Sequence, residues 1–315
     1  KNKPNNKNIV VMNFVTSNSL ASLLFLIAVK KLNLSSVKYY NSGAPNVSRV
    51  NNNITIRYIV KALERRFYFL VSKVFNVFPT HCIYAGDFWK KKYEHIVNKN
   101  GAKWLSGNTW DYINILGKTG DGQQQESSQQ KTAILLDGAG PMFGSDDINI
   151  GKKTYMTSEV WYPALVSFLD KIEEISNVTV DIAAHPKSLH QANPSYFGYR
   201  DVSYGKTCKK VSDSEFVLTR GSTAISYAII FKKPVIFIYS DQIKEDKLSM
   251  ASTNIMSKLL GTVPINIDGD LKGICDCLMI NESCYDLYKK NYLSSTDYPR
   301  TNAQVLLEGV LSIKV

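Results

Sequence analysis

Apolar and polar positions alternate along this chain in blocks that read as strands and helices in turn. Asn8 to Val15, NIVVMNFV, is a short apolar run and predicts a buried first strand. The TSNS that follows offers N-cap residues, and the next apolar stretch predicts a helix from about Leu20 to Leu32. Between Ile54 and Phe78 apolar residues recur at helical spacing among Arg57, Lys61, Arg65, Arg66 and Lys73. That pattern predicts a long amphipathic helix whose apolar stripe packs inside the first lobe. THCIYAGD is a further strand, ending at Gly86-Asp87.

The pattern then breaks. Residues 117–131, GKTGDGQQQESSQQK, hold almost no apolar side chain and have the composition of a linker or surface loop. They lack the G-x-x-x-x-G-K-[ST] spacing of a phosphate-cradling P-loop. Alternation resumes with a strand at TAILLDG, a helix at SEVWYPALVSFLDKIEEIS and strands at VTVDIAAHP and SEFVLT. A helix opens at GSTAISYAIIF, a strand follows at KPVIFIYS, and TNAQVLLEGVLSI is a last helix. The fold class is therefore α/β, with two Rossmann-like lobes built on parallel sheets. The expected division is residues 1–125 and 126–315, with the final helix packing back on the first lobe.

Three strands of the second half end in groups that carry chemistry. AILLDG closes on Asp137-Gly138, DIAAHP on His185-Pro186, and FVLTRGST runs through Arg220 and Gly221 into Ser222 and Thr223. Pro186 cannot donate to a ladder and restrains its predecessor, which stops the strand near His185. In a parallel sheet these ends share one edge, where open α/β sheets bind their ligands. Gly221 allows close backbone approach, and hydroxyls at a helix start suit an anion. Simple N-capping by Ser222, a turn role for Asp137 and a structural role for His185 are the plainer uses of each residue.

Charge sharpens this picture. Lys and Arg total 38 against 27 Asp and Glu, a net charge of +11, which suits an anionic partner such as a charged substrate, a lipid surface or nucleic acid. No zinc module, aromatic nucleic-acid motif or recognition helix supports the last. The five cysteines form no zinc-type pairing and fit a reducing compartment. Leu20 to Val29 is too short to cross a bilayer, and it follows a strand, so a cytoplasmic location is expected, with peripheral contact to the inner membrane face.

The ordered set DG, HP and ST, spread over roughly Thr132 to Ser240, resembles the bacterial sialyltransferases and the related Kdo and polysialic acid transferases. Those families carry an acidic-acidic-Gly, a His-Pro and a Ser-Ser/Thr motif on a GT-B fold, and use CMP-activated ulosonic or nonulosonic acids. The resemblance implies a GT-B-like chain with an interlobe cleft, an N-terminal acceptor lobe and a C-terminal donor lobe. It implies Asp137 as the base that deprotonates a glycan acceptor and His185 as a contact to the CMP phosphate. Ser222 and Thr223 then bind the same phosphate, beside Gly138, Pro186, Arg220 and Gly221. No cofactor or metal is expected, because the donor is already activated. The chain departs from the pattern at Leu136, which occupies the place of the first acid; Asp146 and Asp147 are the alternative carboxylates. Rival readings are a GT-B transferase with another anionic donor, such as a UDP-sugar or CDP-glycerol, and a non-catalytic two-lobed binding protein.

Overall fold

The computed structural model describes residues 9–13, 19–41, 44–45, 56–116, 130–138, 140–141, 155–188, 190, 193–295 and 300–312. Two compact units emerge. The first gathers residues 1–42, 50–116 and 290–315, and the second 43–49 and 117–289. Most of the expected linker, residues 117–129, lies outside the described residues, as do Asp146 and Asp147.

The first unit is a four-stranded sheet in the order β1 (Val10–Asn13), β2 (Ser35–Tyr40), β3 (His81–Ala85) and β4 (Lys103–Gly107). Every pairing is parallel, with Val37 opposite both Met12 and His81. Helices Leu20–Lys31, Ile56–Val74 and Asp87–Lys99 supply the crossovers. Two features depart from the sequence expectation. β2 and β4, SSVKYY and KWLSG, are strands without a continuous apolar run, because burial falls on only part of each. The apolar side of Ile56–Val74 is also not packed inside: Leu63, Phe67 and Leu70 are exposed, and Tyr68 and Val71 make its internal contacts.

Residues 290–312 complete this unit. Val305 is buried with Val37 and Ile83, and Leu306 packs beside them. The helix Asn302–Gly309 starts from a capping box between Thr301 and Gln304. A buried amide pair holds the segment in place. The Asn302 carbonyl oxygen accepts from the Asn108 backbone N–H at 3.0 Å, and its amide donates to the Asn108 carbonyl and the Tyr39 hydroxyl, both at 2.9 Å. Ser294 in turn donates to the Asn108 side chain at 2.6 Å.

The second unit is a six-stranded sheet in the order β10-β9-β8-β5-β6-β7, comprising β5 (Thr132–Leu136), β6 (Thr179–Ala183), β7 (Val202–Ser203), β8 (Val217–Thr219), β9 (Val235–Tyr239) and β10 (Ile265–Asn266). All pairings are again parallel. The chain winds from β5 outward through β6 to β7, then returns to the other side of β5 and winds outward again. This is the doubly wound Rossmann order, with its switch point between β5 and β8. The helix Ser158–Ser176 buries Trp161, Leu165, Phe168, Leu169 and Ile172 at i, i+4, i+7, i+8 and i+11 within the core that holds Val180 and Ile182. The α/β class with two Rossmann-like parallel sheets, expected from the sequence, is the architecture observed.

Asn302→Ala should leave the buried Asn108 N–H without its acceptor and destabilise the first unit by about 1–3 kcal/mol. Scanning calorimetry reads this as a lowered melting temperature; an unchanged transition would mean the amide pair does not hold the returning segment.

Candidate active site at the switch point

The polar groups expected at the strand ends gather around the switch point. β5 ends at Leu136, and the Asp137 N–H continues its ladder by donating to the Ala183 carbonyl at 3.1 Å. Asp137 is buried, only 8% exposed, so its carboxylate needs partners. His190 Nε2 lies 2.9 Å from Asp137 Oδ2, and the His185 backbone N–H lies 3.5 Å from the same oxygen. An ionised carboxylate only accepts, so Nε2 carries the proton. Among the described residues both contacts fall on Oδ2, which leaves Oδ1 for another partner.

His190 was not among the residues expected from the sequence. No strand or helix period in the sequence marks it, and its one signal there is a second histidine five positions beyond His185. Aromatic rings fix it: Phe197 edge-on at 4.6 Å and Tyr162 at 6.1 Å, with Tyr162 stacked on Tyr196 at 4.1 Å. Its Nδ1 and the Tyr162 hydroxyl are buried with no hydrogen-bond partner among the described residues. Burial pushes the Tyr162 phenol well above the ordinary tyrosine range, the Asp137 charge pushes it further, and the Arg220 cation partly offsets both.

His185 is half-buried where β6 gives way to the Pro186-Lys187 turn. Its Nδ1 accepts from the Lys187 N–H at 3.1 Å, so a neutral ring carries its proton on Nε2 and presents a donor. Its carbonyl accepts from Ser188 N–H and Oγ at 2.9 and 2.7 Å, which fixes the turn. Pro186 and Gly138 are exposed beside these groups.

Arg220 follows β8, directly across the switch point from Asp137. Its guanidinium carbon lies 5.2 Å over the Trp161 ring, and Nη1 lies 3.4 Å from Met156 Sδ. A β-carbon on Gly138 would stand 2.9 Å from Nη2, and one on Gly140 3.0 Å. The two glycines are thus the floor on which the guanidinium rests. Thr253 Oγ1 donates to the Arg220 carbonyl at 2.9 Å and ties this loop to the helix Lys247–Leu259.

The expected helix start at Ser222 and Thr223 needs correction. The helix is Ile225–Ile230, and Ser222 and Thr223 belong to the turn before it. The buried Thr219 hydroxyl explains the delay, because it accepts from the Gly221 and Ser222 N–H groups at 3.1 and 3.0 Å. Ser222 Oγ then accepts from the Ala224 N–H at 3.2 Å. Gly221 has φ +136°, a conformation that favours glycine. Ser222 therefore serves the turn, while Thr223 is exposed. Among the described residues no three His, Cys, Asp or Glu side chains form a group able to hold a metal ion.

No protein-family model and no curated protein matches the chain. Solved structures that it is similar to include the Methanocaldococcus jannaschii UDP-GlcNAc 2-epimerase in complex with UDP-GlcNAc and UDP, at 12% identity and a TM-score of 0.46, covering 90% of this chain and 73% of that one. Another is Glycyrrhiza uralensis UGT73P12 complexed with glycyrrhetinic acid 3-O-monoglucuronide, at 10% identity and a TM-score of 0.44, covering 90% and 67%. A third is the calicheamicin glycosyltransferase CalG4, at 11% identity and a TM-score of 0.38, covering 84% of this chain and spanning 64% of that one. With identities this low, the α/β assignment rests on the strand order of the two sheets.

The Tyr162 phenol should ionise above free tyrosine. Asp137→Asn removes the neighbouring negative charge and should lower that pKa, though burial, the larger cause, keeps it above the ordinary value. Ultraviolet titration against a Tyr162→Phe control reads the shift, and no movement in D137N would show that the two groups do not interact.

Proposed function

We propose that the chain is a GT-B-type glycosyltransferase that moves a sugar from a nucleoside-diphosphate donor to a glycan acceptor. The observation that carries this reading is the Arg220 guanidinium at the switch point, seated on Gly138 and Gly140 beside the Asp137 and His185 strand ends. A permanent cation with a planar fork suits a phosphate that gathers charge as it leaves. The return of residues 290–315 to the first unit supports the same reading.

The chemistry follows from these positions. Asp137 Oδ1 takes the proton of the acceptor hydroxyl while His190 holds Oδ2. The freed oxygen forms a bond to the anomeric carbon as the bond from that carbon to the donor phosphate oxygen breaks. The electron pair departs with the nucleotide, and Arg220 and the His185 Nε2–H stabilise it there. Charge neutralisation by these side chains needs no divalent cation.

Two observations favour a diphosphate donor over the CMP-linked nonulosonic acid that the DG, HP and ST motifs imply. Leu136 stands where a second acid belongs. The Gly221, Ser222 and Ala224 N–H groups before the helix are also already engaged by Thr219 and Ser222, which weakens the helix start as a phosphate cradle and leaves the anion role to the Arg220 charge.

A nucleotide panel tests the donor. UDP should raise the melting temperature and CMP should not; the reverse result selects the CMP donor, and stabilisation by neither rejects the reading. Arg220→Ala should weaken UDP binding by about 2–3 kcal/mol, while the Ser222→Ala/Thr223→Ala double variant should cost about 1 kcal/mol of stability and leave affinity nearly unchanged. His185→Ala should retain its melting temperature and lose on the order of 10²-fold in transfer rate; a wild-type rate would remove it from the leaving-group side.

A further inference from the structure

The helix Ile56–Val74 carries an apolar stripe that the described residues leave uncovered. Val60, Leu63, Phe67, Leu70 and Val74 follow one another at spacings of 3, 4, 3 and 4 residues, which places them on one face. Their exposure runs from 56% at Val60 to 81% at Val74. Another side of the helix is satisfied, because Tyr68 and Val71 pack with the buried Leu23, Leu26 and Val77. Among the described residues the stripe therefore takes no part in core packing. The neighbouring helix Leu20–Lys31 behaves alike, burying Leu23 and Leu26 while leaving Leu20 and Leu24 exposed.

Charge identifies the occupant. Among the described side chains of this helix, Arg66 and Lys73, seven residues apart on one flank of the stripe, are exposed cations against the single acid Glu64. A stripe spaced this way could pair with a second copy as a coiled-coil seam, but two such helices side by side would set cations against cations. An anionic lipid surface converts the same charges into attraction and accepts the apolar side chains among its acyl chains. Lys30 and Lys31 end the neighbouring helix with the same sign. No helix among the described residues is long and apolar enough to cross a membrane, so the contact lies in the plane of the interface.

We infer that the exposed face of helix Ile56–Val74 docks this protein on an anionic lipid bilayer, with Leu63, Phe67 and Leu70 entering the interface. This inference stands on the surface of the first unit and does not depend on the donor or on catalysis.

Flotation of the full chain with vesicles tests it. Vesicles of phosphatidylcholine and phosphatidylglycerol should retain the protein at low salt and release it as salt rises, and pure phosphatidylcholine should retain far less. Leu63→Ser/Phe67→Ser/Leu70→Ser should cut partitioning by about tenfold or more, because affinity scales with buried apolar area. Its melting curve should match the wild type, since the three side chains are already exposed. Arg66→Glu/Lys73→Glu should lose the preference for anionic lipid. Equal partitioning on both vesicle types, binding to neither, or wild-type binding by the serine variant overturns the inference. So does a dimer in light scattering that the serine variant dissolves, which would make the stripe a seam between copies.

Discussion

A carboxylate buried at the end of β5 is the constraint around which the second unit is organised. Asp137 cannot keep its charge out of water unless donors reach it, and those donors are the His185 N–H after β6 and the His190 ring beyond it. The requirement couples three separate pieces of chain. β5 and β6 are held in register past their last apolar residues, the Pro186 turn is aimed back at the strand end, and His190 is pinned inward among Tyr162 and Phe197. Trp161, one residue before Tyr162 on the same helix, carries the Arg220 guanidinium on its face. The negative and positive groups of the site are thereby set from one rigid helix whose remaining apolar residues anchor the core.

The first unit answers a similar problem with neutral groups. The amides of Asn108 and Asn302 interlock so that a buried N–H and carbonyl are satisfied by a segment nearly two hundred residues away. Apolar burial by Val305 and Leu306 would tolerate small slips of that segment along the sheet. The amide pair does not, because any shift strands polar groups in the interior.

How much of this was readable from the sequence depends on what marked each element. Where an apolar run met a turn residue, as at Asp137-Gly138, His185-Pro186 and Arg220-Gly221, both the strand and the polar residues placed at its end were legible. β2 and β4 were not, since SSVKYY and KWLSG bury only some positions and mix polar residues into the rest. The helix after Arg220 was expected too early because hydroxyl residues read alike as caps and as turn-formers; only the position of the Thr219 side chain distinguishes them. His190 was illegible for a different reason: its significance is a distance to Asp137, and no local pattern encodes that. The stripe on Ile56–Val74 was visible as a period, but a period does not say whether the face meets protein or something else.

The membership of residues 290–315 in the first unit has a consequence for how the chain is made. Domains ordinarily fold in the order in which they leave the ribosome. Here the second unit, almost wholly contiguous from Gly117 to Lys289, can close while synthesis continues. The first unit must wait with β1 to β4 already outside, until Ser294, Ser295 and Asn302 emerge to satisfy Asn108 and the Gly86 N–H. For that interval a sheet made before the second unit is completed after it, and its open state leaves Asn108 and the Gly86 N–H without the partners that the returning segment supplies.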